Sequence, residues 1–167
     1  MKKNNQTAQE IDHAIQNAKG WSDTIANQVA ALEMDWERYE ELKDMALEDM
    51  DEDEKEELQE MIEIVTADGD EYENEEQVRE RITEEPLSVE VRSDWYAPGS
   101  EQDKPSEFMI LLSTGGPALR IRGELNQYGQ PDRCWMEYQD WGTPWTEYLD
   151  NDRSTLLTWC RVFYFGD

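Results

Sequence analysis

The chain has few of the residues on which recognisable chemistry depends. It holds one histidine, His13, and two cysteines, Cys134 and Cys160, in 167 residues. A His-based triad would have to use His13, which falls beside the apolar seam of a helix, and no serine sits in a GxSxG turn. No CxxC is present; the count allows one disulfide, and cytosolic thiols in strand and helix patterns are the expected state. No run of 18 apolar residues is available to span a membrane. The N-terminal MKKNNQTAQE has no apolar core of the signal-peptide kind, so a cytoplasmic protein is expected. Positive charge is scarce as well: 15 Lys and Arg stand against 41 Asp and Glu, a net charge of −26. That balance repels nucleic acid and anionic membranes and asks for a cationic partner.

Hydrophobic content is 37%, yet seven Trp, seven Tyr and three Phe provide large side chains for a core. Their periodicity argues against a disordered chain. The length suits one domain, or one small domain with an appendage.

The charge is concentrated between Glu33 and Glu85, where 25 acidic residues face five basic ones. Ahead of it, Thr7-Ala8-Gln9-Glu10 fits a capping box. The positions Ile11, Ile15, Ala18, Ser22, Ile25, Val29, Leu32, Trp36 and Tyr39 follow heptad spacing. They predict one long helix from about residue 8 to Glu48, with a break at Gly20 as the alternative. Its seam needs either the next helices folded back or a second copy of the chain. A second cap at Asp51 to Glu54 precedes the stripe Leu58, Met61, Ile62 and Val65, which predicts a helix ending near Ala67. Asn74 with Gln77 opens a third helix that Pro86 stops.

From Leu87 the period changes to two. Leu87, Val89 and Val91 predict a strand. Phe108 to Ser113 is apolar on both faces and predicts a central strand covered on both sides. Leu119 to Leu125 and Cys134 to Gln139 complete four strands joined by short turns, hence an antiparallel meander. Asp152 or Ser154 caps a last helix with the stripe Leu156, Leu157, Cys160, Phe163 and Tyr164. The expected fold class is α+β: acidic helices over 1–86, then a four-stranded antiparallel sheet with a C-terminal helix over 87–167, the two parts forming separate regions or one unit.

On the long helix, Glu37, Glu41, Asp44 and Glu48 are expected on one face. Residues four apart on a helix rise by about 6 Å, comparable with the run of phosphates along a nucleic-acid backbone. Together with Asp51, Asp53, Glu56, Glu57, Glu60 and Glu63 they form a candidate surface that imitates a nucleic acid; the plainer reading is a solvated acidic face. Asp49, Asp51, Asp53 and Glu60 also start a calcium-loop template, but Glu54 stands where the template needs glycine. The Asp68, Asp70, Tyr72 match fails likewise at Glu73 and Arg79. Neither a metal nor a cofactor is therefore expected. Arg92, Arg120 and Arg122 share the polar side of adjacent strands with Glu90, Glu124 and Glu137, as cross-strand ion pairs or as a small anion pocket. Trp141 and Trp145, in a Gly/Pro loop, suit a protein-binding hot spot, or else fold over an open sheet face.

The run Ile110-Leu111-Leu112-Ser113-Thr114-Gly115-Gly116-Pro117-Ala118, with Asp140-Trp141-Gly142-Thr143-Pro144-Trp145 and Phe163-Tyr164-Phe165-Gly166, resembles small uncharacterised proteins carried by phages and plasmids. The resemblance covers roughly residues 87 to 167 and brings no catalytic residues. The acidic helical half is similar in style to phage and plasmid anti-restriction and anti-CRISPR proteins, several of them DNA mimics. It implies a non-enzymatic inhibitor whose partner is a basic nucleic-acid-binding protein or ribonucleoprotein of the host, without direct binding of nucleic acid or membrane. A dimeric assembly protein joined through the heptad helix is the alternative. An enzyme or small-ligand binder using the arginine-bearing sheet face is a third reading.

Overall fold

A computed structural model describes residues 2–69, 71–98 and 104–166, with side chains in the first helix described from His13 onward. The elements in order are α1 (Lys2–Glu33), α2 (Trp36–Asp44), α3 (Glu52–Thr66), α4 (Glu75–Glu84), β1 (Ser88–Arg92), β2 (Glu107–Ser113), β3 (Pro117–Leu125), β4 (Pro131–Asp140), β5 (Thr146–Tyr148) and α5 (Arg153–Cys160). The strands form one antiparallel meander in the order β1-β2-β3-β4-β5. It has five strands rather than four, because Thr146–Tyr148 pairs with Met136–Tyr138. Three residues are too short to show alternation, so the segment reads as loop in the sequence.

The long helix predicted to reach Glu48 ends at Glu33. Its successor starts on its own cap: the Asp35 side chain accepts a hydrogen bond from the Arg38 N–H at 3.0 Å. The Trp36 indole donates to the Ala31 carbonyl at 3.0 Å across the break. Apolar spacing continues through this corner, which is why the heptad pattern concealed it. Gly20 lies inside α1 and does not break it. Helix α1 starts before Thr7, so the predicted box at Thr7–Glu10 falls inside the helix, and its side chains lie outside the described residues.

Helix α1 packs against α3, α4 and α5 and over β3 and β4. Ala18, Ile25 and Val29 are buried within their own chain, whereas Ile15 is 38% exposed. The described part of the predicted seam is thus filled from within the chain at Ala18, Ile25 and Val29 and open at Ile15. Asp51 and Glu54 make the expected capping box, with bonds of 2.9 and 3.1 Å. Asn74 accepts from the Gln77 N–H at 3.0 Å, and Asp152 from the Thr155 N–H at 2.7 Å.

The sheet is covered on one side only. Phe108, Ile110, Leu112, Leu119, Ile121 and Met136 face the helices and are buried. Their neighbours Met109 and Leu111 lie on the other face and are half-buried, whereas a bulge after Leu111 turns Ser113 toward α1, where its hydroxyl accepts from the Asn17 amide at 3.0 Å. The expectation that β2 is covered on both sides is therefore corrected: paired arginine and glutamate side chains shield its outer apolar residues. Gly123 lets β3 pass the Phe108 ring, since a Cβ there would overlap that ring and the Arg133 carbonyl. Helix α5 ends at Cys160, which leaves Tyr164 exposed, not on the helix stripe. Trp159 takes that place in the core.

Candidate functional site

The expected acidic row divides into parts with different roles. Glu37, Glu41 and Asp44 ride on α2 and are exposed, but Glu48 follows the helix in a turn and leaves their face. Arg38 reaches from α2 to α3. Its guanidinium lies 3.0 Å from Glu57, 3.6 Å from Glu54 and 3.5 Å from Glu41. The Glu57 hydrogen bond is the largest influence holding Arg38 more firmly protonated than usual. Glu57 and Glu41 are accordingly compensated, and Asp51 is occupied as a helix cap.

What remains is a ridge on α3. Asp53, Glu56, Glu60 and Glu63 follow steps of three, four and three, so they share one face of the helix. All four are exposed, and none has an ion-pair partner among the described residues. The ridge runs about 15 Å at ~1.5 Å per residue. Helix α4 adds Glu76, Glu80 and Glu84 at steps of four, all exposed. The sequence reading missed this second row, although its i, i+4, i+8 spacing was present to be seen. Among the described residues no group of three or more acidic, histidine or cysteine side chains is arranged to hold a metal ion.

The arginines of the sheet are paired. Glu107 accepts from Arg92 at 2.8 Å and Arg122 at 2.9 Å. Glu137 accepts from Arg120 at 2.7 Å and from the Trp135 indole at 3.0 Å. The depression beside them, about 250 Å³, is lined by Arg92, Arg120 and Arg122 but also by Glu90 and Glu107. This outer face is a network of cross-strand ion pairs in which Arg92, Arg120 and Arg122 each have a carboxylate partner.

The two candidate tryptophans separate. The Arg120 guanidinium lies 4.0 Å from the Trp145 ring centroid, so Trp145 folds over the open sheet face. Trp141 is 76% exposed at the β4–β5 turn. The acidic ridge and this aromatic turn are carried by different elements, a helix packed on α1 and α2 and a sheet hairpin.

Between α1, α5 and the end of α4 lies a buried polar junction. Gln28 on α1 accepts from the Trp159 indole at 2.7 Å and donates to Glu85 at 3.0 Å. Burial raises the Glu85 carboxyl above its usual range, against the pull of Gln28 and Arg81. Tyr72 donates to Asp68 at 2.9 Å, and burial pushes its hydroxyl well up. The Gln28–Glu85 bond ties the end of α4 to α1. Comparison with protein-family models, curated proteins and solved structures finds no match for the chain.

Proposed function

We propose that the chain is a non-enzymatic inhibitor whose acidic helices occupy the nucleic-acid groove of a basic DNA- or RNA-binding defence protein. A CRISPR effector or a restriction enzyme is the class that the resemblance implies. The observation that carries this reading is the ridge of Asp53, Glu56, Glu60 and Glu63: four carboxylates on a rigid helix, exposed and uncompensated. Uncompensated carboxylates at phosphate-like intervals attract a basic groove at long range, and salt screens that attraction. Glu76, Glu80 and Glu84 on α4 extend the same charge. Trp141 is available to add apolar contact at a partner's rim.

The test is displacement of labelled target DNA from candidate effectors by the purified chain, across a salt series. Displacement should weaken steeply as salt rises and be lost when Asp53, Glu56, Glu60 and Glu63 are changed together to Lys. Displacement indifferent to salt, or unchanged in that variant while its circular dichroism stays native, overturns the reading.

A further inference from the structure

Cys134 lies on the helix-facing side of β4, opposite Gly123 on β3. Cys160 is the last residue of α5, which packs on β4. Both are free thiols, and the Arg161 guanidinium, next to Cys160, donates to the Pro131 carbonyl at 3.4 Å, which holds the end of α5 against the start of β4 near Cys134. Their surroundings differ. Cys160 is wholly buried. Cys134 lines a surface cavity of about 420 Å³, together with Arg133, Trp135, Arg153 and Leu157.

We propose that Cys134 and Cys160 are a thiol–disulfide pair, which a low-molecular-weight disulfide entering the cavity beside Cys134 oxidises to an intrachain bond between β4 and α5. The Cys134 thiolate attacks one sulfur of the small disulfide. That S–S bond breaks, and the departing thiolate takes a proton. The mixed disulfide on Cys134 is then attacked by the Cys160 sulfur, whose proton leaves with the second small thiol. Two protein thiols are oxidised, and one disulfide is reduced to two thiols.

The division of labour follows from position. The neighbouring Cys160 thiol, with Arg161 and Arg153 nearby, holds the Cys134 thiol below its usual value against the effect of burial. Burial holds the Cys160 thiol well above its usual value, so it suits the second, intramolecular attack. Closing the bond asks the two Cα atoms to lie about 5.5–6 Å apart, across the contact between α5 and β4. A chain of net charge −26 favours a cationic small disulfide over an anionic one.

Cystamine is therefore the probe. The full chain is incubated with it, quenched in acid and weighed intact. The expected product is lighter by two hydrogens, and both cysteines resist alkylation after denaturation. Its thermal midpoint should rise by roughly 5–10 °C, as for a disulfide closing a loop of this size. Cys160→Ser should stop at one cysteamine on Cys134, and Cys134→Ser should stay unmodified over the same time. If Cys160→Ser does not fold, Cys160→Ala replaces it, and the wild-type mass alone decides the bond. Two thiols still open to alkylation, two cysteamines on one chain, a disulfide-linked dimer, or Cys134→Ser reacting at the wild-type rate would overturn the proposal.

Discussion

Replacing Gln28 by leucine tests whether the buried junction holds the acidic helices to the rest of the chain. Gln28 is fully buried on α1 and joins the Trp159 indole on α5 to Glu85 at the end of α4. Leucine fills similar space but satisfies neither partner. The Trp159 N–H then stays buried without an acceptor, which costs about 1–3 kcal/mol. Glu85 loses one donor but keeps Arg81 at 3.1 Å, a smaller loss of about 1 kcal/mol. The added apolar burial returns about 1 kcal/mol, leaving a net loss of roughly 1–3 kcal/mol. With a urea dependence near 2 kcal/mol per molar, the unfolding midpoint followed by tryptophan fluorescence should fall by roughly 0.5–1.5 M. Gln28→Glu is the companion variant. It places a carboxylate beside Glu85, so its loss should be larger at pH 7 and shrink on acidification as the pair takes up a proton. A midpoint within about 0.2 M of wild type for Gln28→Leu would refute the claim that the junction matters.

Four further outcomes are expected. The Glu85 carboxyl is raised mainly by burial, so the folded chain holds that proton more tightly than the unfolded one. The stabilising contribution is therefore full below the unfolded value and lost as pH rises through the raised folded value. Wild type should gain on Glu85→Gln as pH falls from about 7 to about 4, read as the difference in unfolding free energy; a constant difference contradicts the assignment. Asp51→Ala removes one half of the α3 capping box and should cost about 1 kcal/mol, seen as earlier loss of helical circular dichroism in urea. Gly123→Ala drives a methyl group into the Phe108 ring and the Arg133 carbonyl and should cost about 3 kcal/mol or more, whereas Gly20→Ala, with open space around it, should stabilise by roughly 0.5–1 kcal/mol.

Local chemistry made the α+β class, the meander, and the caps at Asp51, Asn74 and Asp152 legible, because each rests on residues within a few positions of one another. Errors arose where long-range packing decides. Apolar spacing through Val29, Leu32, Trp36 and Tyr39 is continuous, and only the Asp35 cap marks the corner. The apolar alternate residues of β2 suggested two covered faces, but arginine stems and ion pairs shield Met109 and Leu111 instead. Trp159 fits an i, i+3, i+4, i+7 stripe with Leu156, Cys160 and Phe163 as well as Tyr164 failed to. Its partner Gln28 is 131 residues away in sequence, and no spacing rule connects them. The same holds for the acidic surface. Spacing showed which carboxylates share a face, while Arg38, reaching across from α2, determined which of them have an ion-pair partner.

The cost of that surface distinguishes a binding ridge from a merely wet one. Helix α3 buries only Val65 completely, with Leu58, Met61 and Ile64 packed at the edge of the core. It has no basic residue in its last turn, where Glu63 faces the negative end of the helix dipole. Asp53–Glu56, Glu56–Glu60 and Glu60–Glu63 are like-charge neighbours, each costing up to ~0.5 kcal/mol at low salt. The double change Glu60→Gln and Glu63→Gln should therefore stabilise the chain by roughly 0.5–1.5 kcal/mol, and the gain should fade with added salt. If the ridge engages a basic groove, the stabilised variant should displace target DNA less well than wild type at low salt and approach it at high salt, where both are weak. A surface that serves only to keep the chain dissolved predicts the same stabilisation with displacement unchanged. Measuring stability and displacement on one variant thus separates two readings that share every carboxylate, and loss of displacement without a gain in stability would contradict the account of the ridge as uncompensated charge.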